Sequence, residues 1–258
     1  MPSVLLEACC QSPEGALSAL GAGADRVEFS CSLALGGLTP SPGSLETLRE
    51  QTSAPIFCMV RPREGGFAYT REELLCMERD ARRLIALGAD GLVFGCLGRD
   101  GFPEEDALRR LLDASGGRPC VFHRALDLVP DFRPALDTLM RLGFARVLTS
   151  GGARTAMEGA ITLRAMREHA GDALEVLPAA GIGPENAVAL LRATGLRSLH
   201  LSGKRVRDDP SFPEGGPAFG LPGESGGSFL DTDPAVFRAV RRAVDAWASS
   251  PGEREETP

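Results

Sequence analysis

The pattern of the chain predicts an α/β fold, a (β/α)8 TIM barrel in a single domain over residues 1–249. Three observations carry this. A helical run, a glycine suited to a left-handed helix end and a short apolar strand recur four times, in "GAGADRVEF", "LGADGLVFG", "LGFARVLTSG" and "TGLRSLHLSG". Four further apolar segments lie between them, "VLLEAC" (4–9), "PIFCMV" (55–60), "CVFHRA" (120–125) and "EVLPAAG" (175–181), which brings the strand count to eight. The length of 258 residues suits one such barrel.

Helices fit each gap. Ser12-Pro13 and Ser41-Pro42 place a capping hydroxyl before a proline at the first helical position. Thr70 with Glu73 forms a capping box. Pro103 followed by Glu104, Glu105 and Asp106 puts negative charge where the helix dipole favours it. Asp131, Arg154 and Gly183-Pro184 mark the next three starts, and Asp233-Pro234 opens the last helix. Residues 203–232, rich in Gly and Pro, fall between the eighth strand and that helix and read as a functional lid or a disordered insertion. The tail 250–258 is polar and reads as disordered.

Composition narrows the partners. The net charge is −7 with no basic run, which argues against nucleic acid and against an anionic membrane surface. No stretch reaches the roughly 18 apolar residues of a membrane span, and the start lacks a signal peptide's basic and apolar regions. A cytoplasmic protein is the expectation. Seven cysteines without a CxxC pair read mainly as small buried hydrophobes, not a disulfide framework or a structural zinc site.

Barrels of this kind hold their sites at the C-terminal ends of the strands. Strand alternation puts Glu7 with Cys9 on one face, Glu28 with Ser30 on the next, and His200 with Ser202 on the eighth. Arg61 follows the third strand and His123 lies in the fifth. Charged side chains are rare inside barrels, so their gathering at one end points to a polar pocket. Two open readings follow. Glu7, Glu28 and Arg61 form an ion-pair network that rigidifies the barrel, or they clamp a small anionic or carbohydrate-like substrate with His123 or His200 as acid or base. The second reading suits proton transfer beside a carbonyl, as in isomerases and lyases. Ser150, Gly151, Gly181, Gly183 and Ser202, in β-to-α turns, are candidates for holding an anion.

The strings "LEACCQS", "AGADRVEFSCSLALGGLTPS", "VRPREGGFAYT", "GADGLVFG", "FHRALD" and "RVLTSGG", in this order, resemble the CutC family of copper homeostasis proteins over residues 4–203. The resemblance implies a TIM barrel, a cytosolic protein that binds copper as Cu(I), and a homo-oligomer, dimer or tetramer. It also implies copper ligands at the cysteine ending "LEAC", which is Cys9, and at the cysteine ending the family's "ADRIELC". The second falls on Ser30 in this chain, with Cys31 beside it and Met59 within the third strand. Copper binding through Cys9 and Cys31 is the expectation on this side, and thiolates are the ligands that select Cu(I). Two smaller departures are "RPREGGF" for "RPRGGDF" and "PAAG" for a "PGGG"-like turn.

Overall fold

Among the described residues eight short parallel strands alternate with helices, the last helix following a two-stranded hairpin. The structure, a computed structural model, describes residues 4–213, 216 and 227–249. In chain order the elements are β1 (Leu5–Cys10), α1 (Pro13–Gly21), β2 (Arg26–Phe29), α2 (Pro42–Arg49), β3 (Ile56–Met59), α3 (Arg71–Ala86), β4 (Gly91–Phe94) and α4 (Glu105–Ala114). There follow β5 (Cys120–Phe122), α5 (Phe132–Leu142), β6 (Arg146–Thr149), α6 (Ala160–Ala170), β7 (Glu175–Pro178), α7 (Ala187–Thr194) and β8 (Ser198–Leu201). A hairpin of β9 (Lys204–Asp208) and β10 (Ser228–Thr232) precedes α8 (Pro234–Ser249). The first eight strands pair in parallel in the order β7-β6-β5-β4-β3-β2-β1-β8. Chain order thus equals spatial order, and β7 and β8 meet at the seam of a nearly closed barrel.

Local chemistry explains the helix starts. Ser12, Ser41 and Asp131 each accept a backbone N–H of their helix, and Thr70 with Glu73 closes a capping box. Two starts differ from the sequence expectation. The sixth helix begins at Ala160, not near Arg154. The intervening turn is held by Asp127, whose carboxylate accepts from the backbone N–H groups of Ser150 and Gly152. The seventh begins at Ala187, because Asn186 Oδ1 takes the Gly183 N–H and fixes a turn there first.

The segment 203–232 is also corrected in part. Its two ends are ordered strands, β9 and β10, in antiparallel register from Lys204↔Thr232 to Asp208↔Ser228. The stretch between these strands, apart from residues 209–213, 216 and 227, lies outside the described residues, as does the tail 250–258.

The helices bury one face against the outside of the barrel in a core that includes Leu45, Leu48, Leu108, Leu111, Leu136, Leu139 and Phe237. Inside, Phe57, Met59, Val93, Val121, Leu148, Leu177 and Ala179 form a separate apolar cluster. That cluster fills only part of the interior. The wall formed by β8, β1 and β2 is charged instead. Among the described residues no helix is long and apolar enough to cross a membrane.

Candidate functional site

Strand parity turns Glu7 and Cys9 on β1, Arg26 and Glu28 on β2, and His200 on β8 into the barrel, and register brings them together. Glu7 stands opposite Arg26 and His200, and Cys9 opposite Glu28. All five are buried. Two layers result.

The layer nearer the N-terminal strand ends is an ion network. Arg26 Nε donates to Glu7 Oε2, and Arg26 reaches Glu175 at 3.1 Å. Arg146 lies 3.8 Å from Glu175 and stacks on Phe57, its guanidinium carbon 3.9 Å from the ring centre. His200 Nδ1 lies 2.8 Å from Glu7 Oε1. Both oxygens of Glu7 are therefore engaged. Burial opposes its ionisation, yet the His200 hydrogen bond and the charges of His200, Arg26 and Arg146 hold its pKa down at about 2. An ionised Glu7 can only accept, so Nδ1 of His200 carries the proton and Nε2 is the ring's other face.

The layer nearer the mouth is unfinished. Cys9 Sγ donates to Glu28 Oε1 at 3.4 Å, and His200 Nε2 stands 3.9 Å from the same oxygen. Glu28 Oε2 is buried without a partner among the described residues. Burial raises the pKa of Glu28, and the charge of Glu7 adds to this while His200 works against it. The Cys9 thiol is pushed well above its usual value by burial and then by Glu28. For His200 burial lowers the pKa, but the Glu28 charge and the Glu7 hydrogen bond outweigh it and the balance is upward. Ligand atoms of Cys9, Glu28 and His200 lie within 4.8 Å of one another.

This trio lines a cavity of about 550 Å³ at the barrel mouth. Met59, Phe67, Leu148, Ala179, Ile182 and Leu201 supply its apolar wall. Arg61, just after β3, and His123 line it as well. Arg61 donates to the carbonyls of Leu35, Gly37 and Gly65 at 3.0, 3.1 and 2.9 Å and lies over Phe67. It thus holds two loops and does not relieve the Glu7–Glu28 repulsion; Arg26 and Arg146 do. His123 lies just beyond β5 and caps a short 3-10 turn, accepting the Ala125 N–H at Nδ1 (3.2 Å). That bond leaves the proton of the neutral ring on Nε2, which is buried without a partner among the described residues. Burial, and then Arg61, lower the His123 pKa to about 3. Gly95 makes room for the ring, since a Cβ there would sit 2.6 Å from it.

The other sequence candidates divide. Gly181, Gly183 and Ser202 line the cavity. Ser150 and Gly151 are not among its lining residues. Ser150 Oγ pairs with Asp127 and the Ala153 carbonyl, and the Gly151 N–H with Thr149. Cys31 likewise stays apart from Cys9; its thiol donates to the Thr39 carbonyl at 3.1 Å. Ser30 is buried, its hydroxyl without a partner among the described residues. Sequence reasoning missed Arg26, Arg146 and Glu175. The period of two carried the signal, because Arg26 precedes Glu28 by two residues on one strand.

A model of the CutC family matches residues 4–205. The chain belongs to the CutC family. Among its relatives, a family protein CutC of Treponema denticola is 44% identical over 211 residues, 82% of this chain and 86% of that protein. A copper homeostasis protein cutC homolog of Homo sapiens is 40% identical over 204 residues, covering 79% and 75% of the two chains. A solved CutC structure from Streptococcus agalactiae superimposes with a TM-score of 0.72 at 33% identity, over 76% of this chain and 97% of that one. A thiamine phosphate pyrophosphorylase from Pyrococcus furiosus shares the barrel fold alone, at a TM-score of 0.57 and 15% identity over 94% and 96% of the chains.

The family's link to copper can be set against this chain's donors. Cys9, Glu28 and His200 offer one sulfur, one oxygen and one nitrogen. That mixture suits a divalent ion of borderline softness, whereas Cu(I) is selected by several soft ligands. Glu7 on the far nitrogen of His200 matches the carboxylate–histidine arrangement that orients metal ligands. The site fits a divalent metal and lacks the thiolate pair.

Proposed function

We propose that this CutC-family protein serves copper homeostasis by binding a divalent transition-metal ion through Cys9, Glu28 and His200. One observation carries the reading: Glu7 fixes the His200 ring so that Nε2 stands 3.9 Å from Glu28 Oε1, the oxygen that Cys9 also reaches, while the second oxygen of Glu28 has no partner among the described residues. Cu²⁺ heads the order of affinities for such a site. A metal there would polarise an oxygen of any molecule entering the cavity. A cytoplasmic location belongs to the same proposal, supported by seven free thiols.

The test is a metal titration read by spectroscopy. Co²⁺ added to the whole chain should produce one sulfur-to-cobalt charge-transfer band, displaced by Zn²⁺ and by Cu²⁺. Cys9→Ser should remove the band, and Glu28→Gln should weaken binding at least tenfold, the usual loss for a ligand or its support. Cys31→Ser should leave it unchanged. A band that survives Cys9→Ser, or tight Cu(I) binding lost on Cys31→Ser, would overturn this donor set.

A second reading rests on the cavity itself. At about 550 Å³ with a mainly apolar lining, it has the size and character of a small-molecule site, far more room than one ion needs. In this reading His200, oriented by Glu7, exchanges a proton with Glu28, and the neutral His123 donates its Nε2–H to a substrate carbonyl. Isomerase- or lyase-type proton transfer would suit that set.

A further inference from the structure

The rim of the cavity holds one cation of a different kind. Lys204 is the only lysine in the chain; the other 27 of its 28 basic side chains are arginines. It opens β9 immediately after β8 and lines the cavity next to Ser202 and Gly203. Its side chain is exposed, and among the described residues it has no ion-pair partner. Its neighbours on the same strand are engaged. Arg205 lies 3.0 Å from Asp231, and Arg207 lies 3.4 Å from Asp231 and 3.6 Å from Glu14.

The two cation types do different work in this molecule. Arginines tie loops and strands together by several fixed hydrogen bonds, as Arg61 does with three carbonyls and Arg49 with Thr52, Ala54 and Asp90. A lysine ammonium is a compact charge on a mobile stem, able to follow an oxyanion that is not held in one orientation. In the nearby turn after β7, part of the donor capacity is already used. The Gly183 N–H is taken by Asn186, and the Glu185 carboxylate lies against Gly183, 2.6 Å from where a Cβ would stand. Two buried side-chain donors on the cavity wall, Nε of Arg61 and Nε2 of His123, have no partner among the described residues. Among the described residues the cavity therefore offers an exposed ammonium at its rim, the Arg61 Nε and His123 Nε2 donors within, and an apolar wall besides.

We infer that Lys204 binds the anionic group, phosphate or carboxylate, of a small organic molecule whose remainder lies in the cavity toward His123 and Arg61. The inference rests on the small-molecule reading of the cavity. The sole lysine makes it directly testable. Reductive methylation of the full chain with ¹³C-formaldehyde labels only Lys204 and the terminal amine and keeps their charge. The labelled resonance, assigned by its loss in Lys204→Arg, is followed while inorganic phosphate, and separately acetate, is added at constant ionic strength. The His123 ring proton is followed in the same samples.

The expected result is a saturable shift of the dimethyl-Lys204 signal, with the His123 signal moving in parallel and the terminal amine unmoved. Saturation by phosphate alone assigns a phosphate ester, and by acetate alone a carboxylate. Lys204→Met should weaken the response of His123 at least tenfold, while Lys204→Arg should retain part of it. If the His123 signal saturates and the Lys204 signal does not, the cavity reading stands and the role of Lys204 is overturned. If neither saturates, both fall.

Discussion

Glu7 and Glu28 are carboxylates on neighbouring strands of one barrel, each almost wholly buried, and the chain treats them in opposite ways. Glu7 has a donor on each oxygen and is held ionised. Glu28 receives only a thiol on one oxygen, has nothing on the other, and its pKa moves up. The difference is one strand layer. At the lower layer Arg26, Arg146 and Glu175 arrive from β2, β6 and β7 and complete the network. At the upper layer the same wall meets the cavity, and the polar groups are left for something that enters. A buried charge that is fully paired holds structure; one left half-satisfied at the same depth marks a site.

The largest expected effect separates these two carboxylates. Glu7→Ala leaves Arg26 and His200 uncompensated in the interior and should cost about 3–5 kcal/mol of unfolding free energy. Glu28→Gln should change stability by less than about 1 kcal/mol, because it removes a buried charge whose only hydrogen-bond donor among the described residues is the Cys9 thiol. Urea unfolding of both variants checks this. Equal losses would abolish the distinction between a structural lower layer and a functional upper one.

Acid should strike the mouth first. The His123 pKa is depressed from 6.5 to about 3, so between these values the unfolded chain binds more protons than the folded one. The contribution of neutral His123 is present above its unfolded pKa and is lost as pH falls from about 6.5 toward 3, by a few kcal/mol in total. His123→Asn keeps a side chain able to cap the 3-10 turn and removes the titration. The slope of stability against pH between 4 and 6.5 should flatten in that variant, measured by denaturant unfolding at each pH. An unchanged slope would mean that His123 is not held neutral.

The smallest effect concerns Ala180, which lines the cavity with φ at +81°, a backbone region that favours glycine. Ala180→Gly should relieve the strain, offset in part by the greater freedom of glycine in the unfolded chain. The net gain should be about 1 kcal/mol, seen as a rise in melting temperature. A loss would show that the alanine methyl is needed for packing at the mouth.

Much of this was legible in the residues. The repeated helix–glycine–strand junctions and the capping residues located the barrel, since they act within a few positions of one another. The alternation on β1, β2 and β8 put Glu7, Cys9, Glu28 and His200 on inward faces. The start of α6 was not legible, because Asp127 holds the preceding turn from more than twenty residues away.

The sequence alone determined the order of strands and helices, the inward face of each strand and the family, because these depend on local periodicity, caps and contiguous motifs. Tertiary structure decided which charges meet. It paired Glu7 with Arg26 instead of Arg61, separated Cys31 from Cys9, and set His123 between Phe67 and Phe122. Such contacts join residues far apart in the chain, 193 positions in the case of Glu7 and His200. They follow from barrel closure and register, which no local stretch of chain encodes.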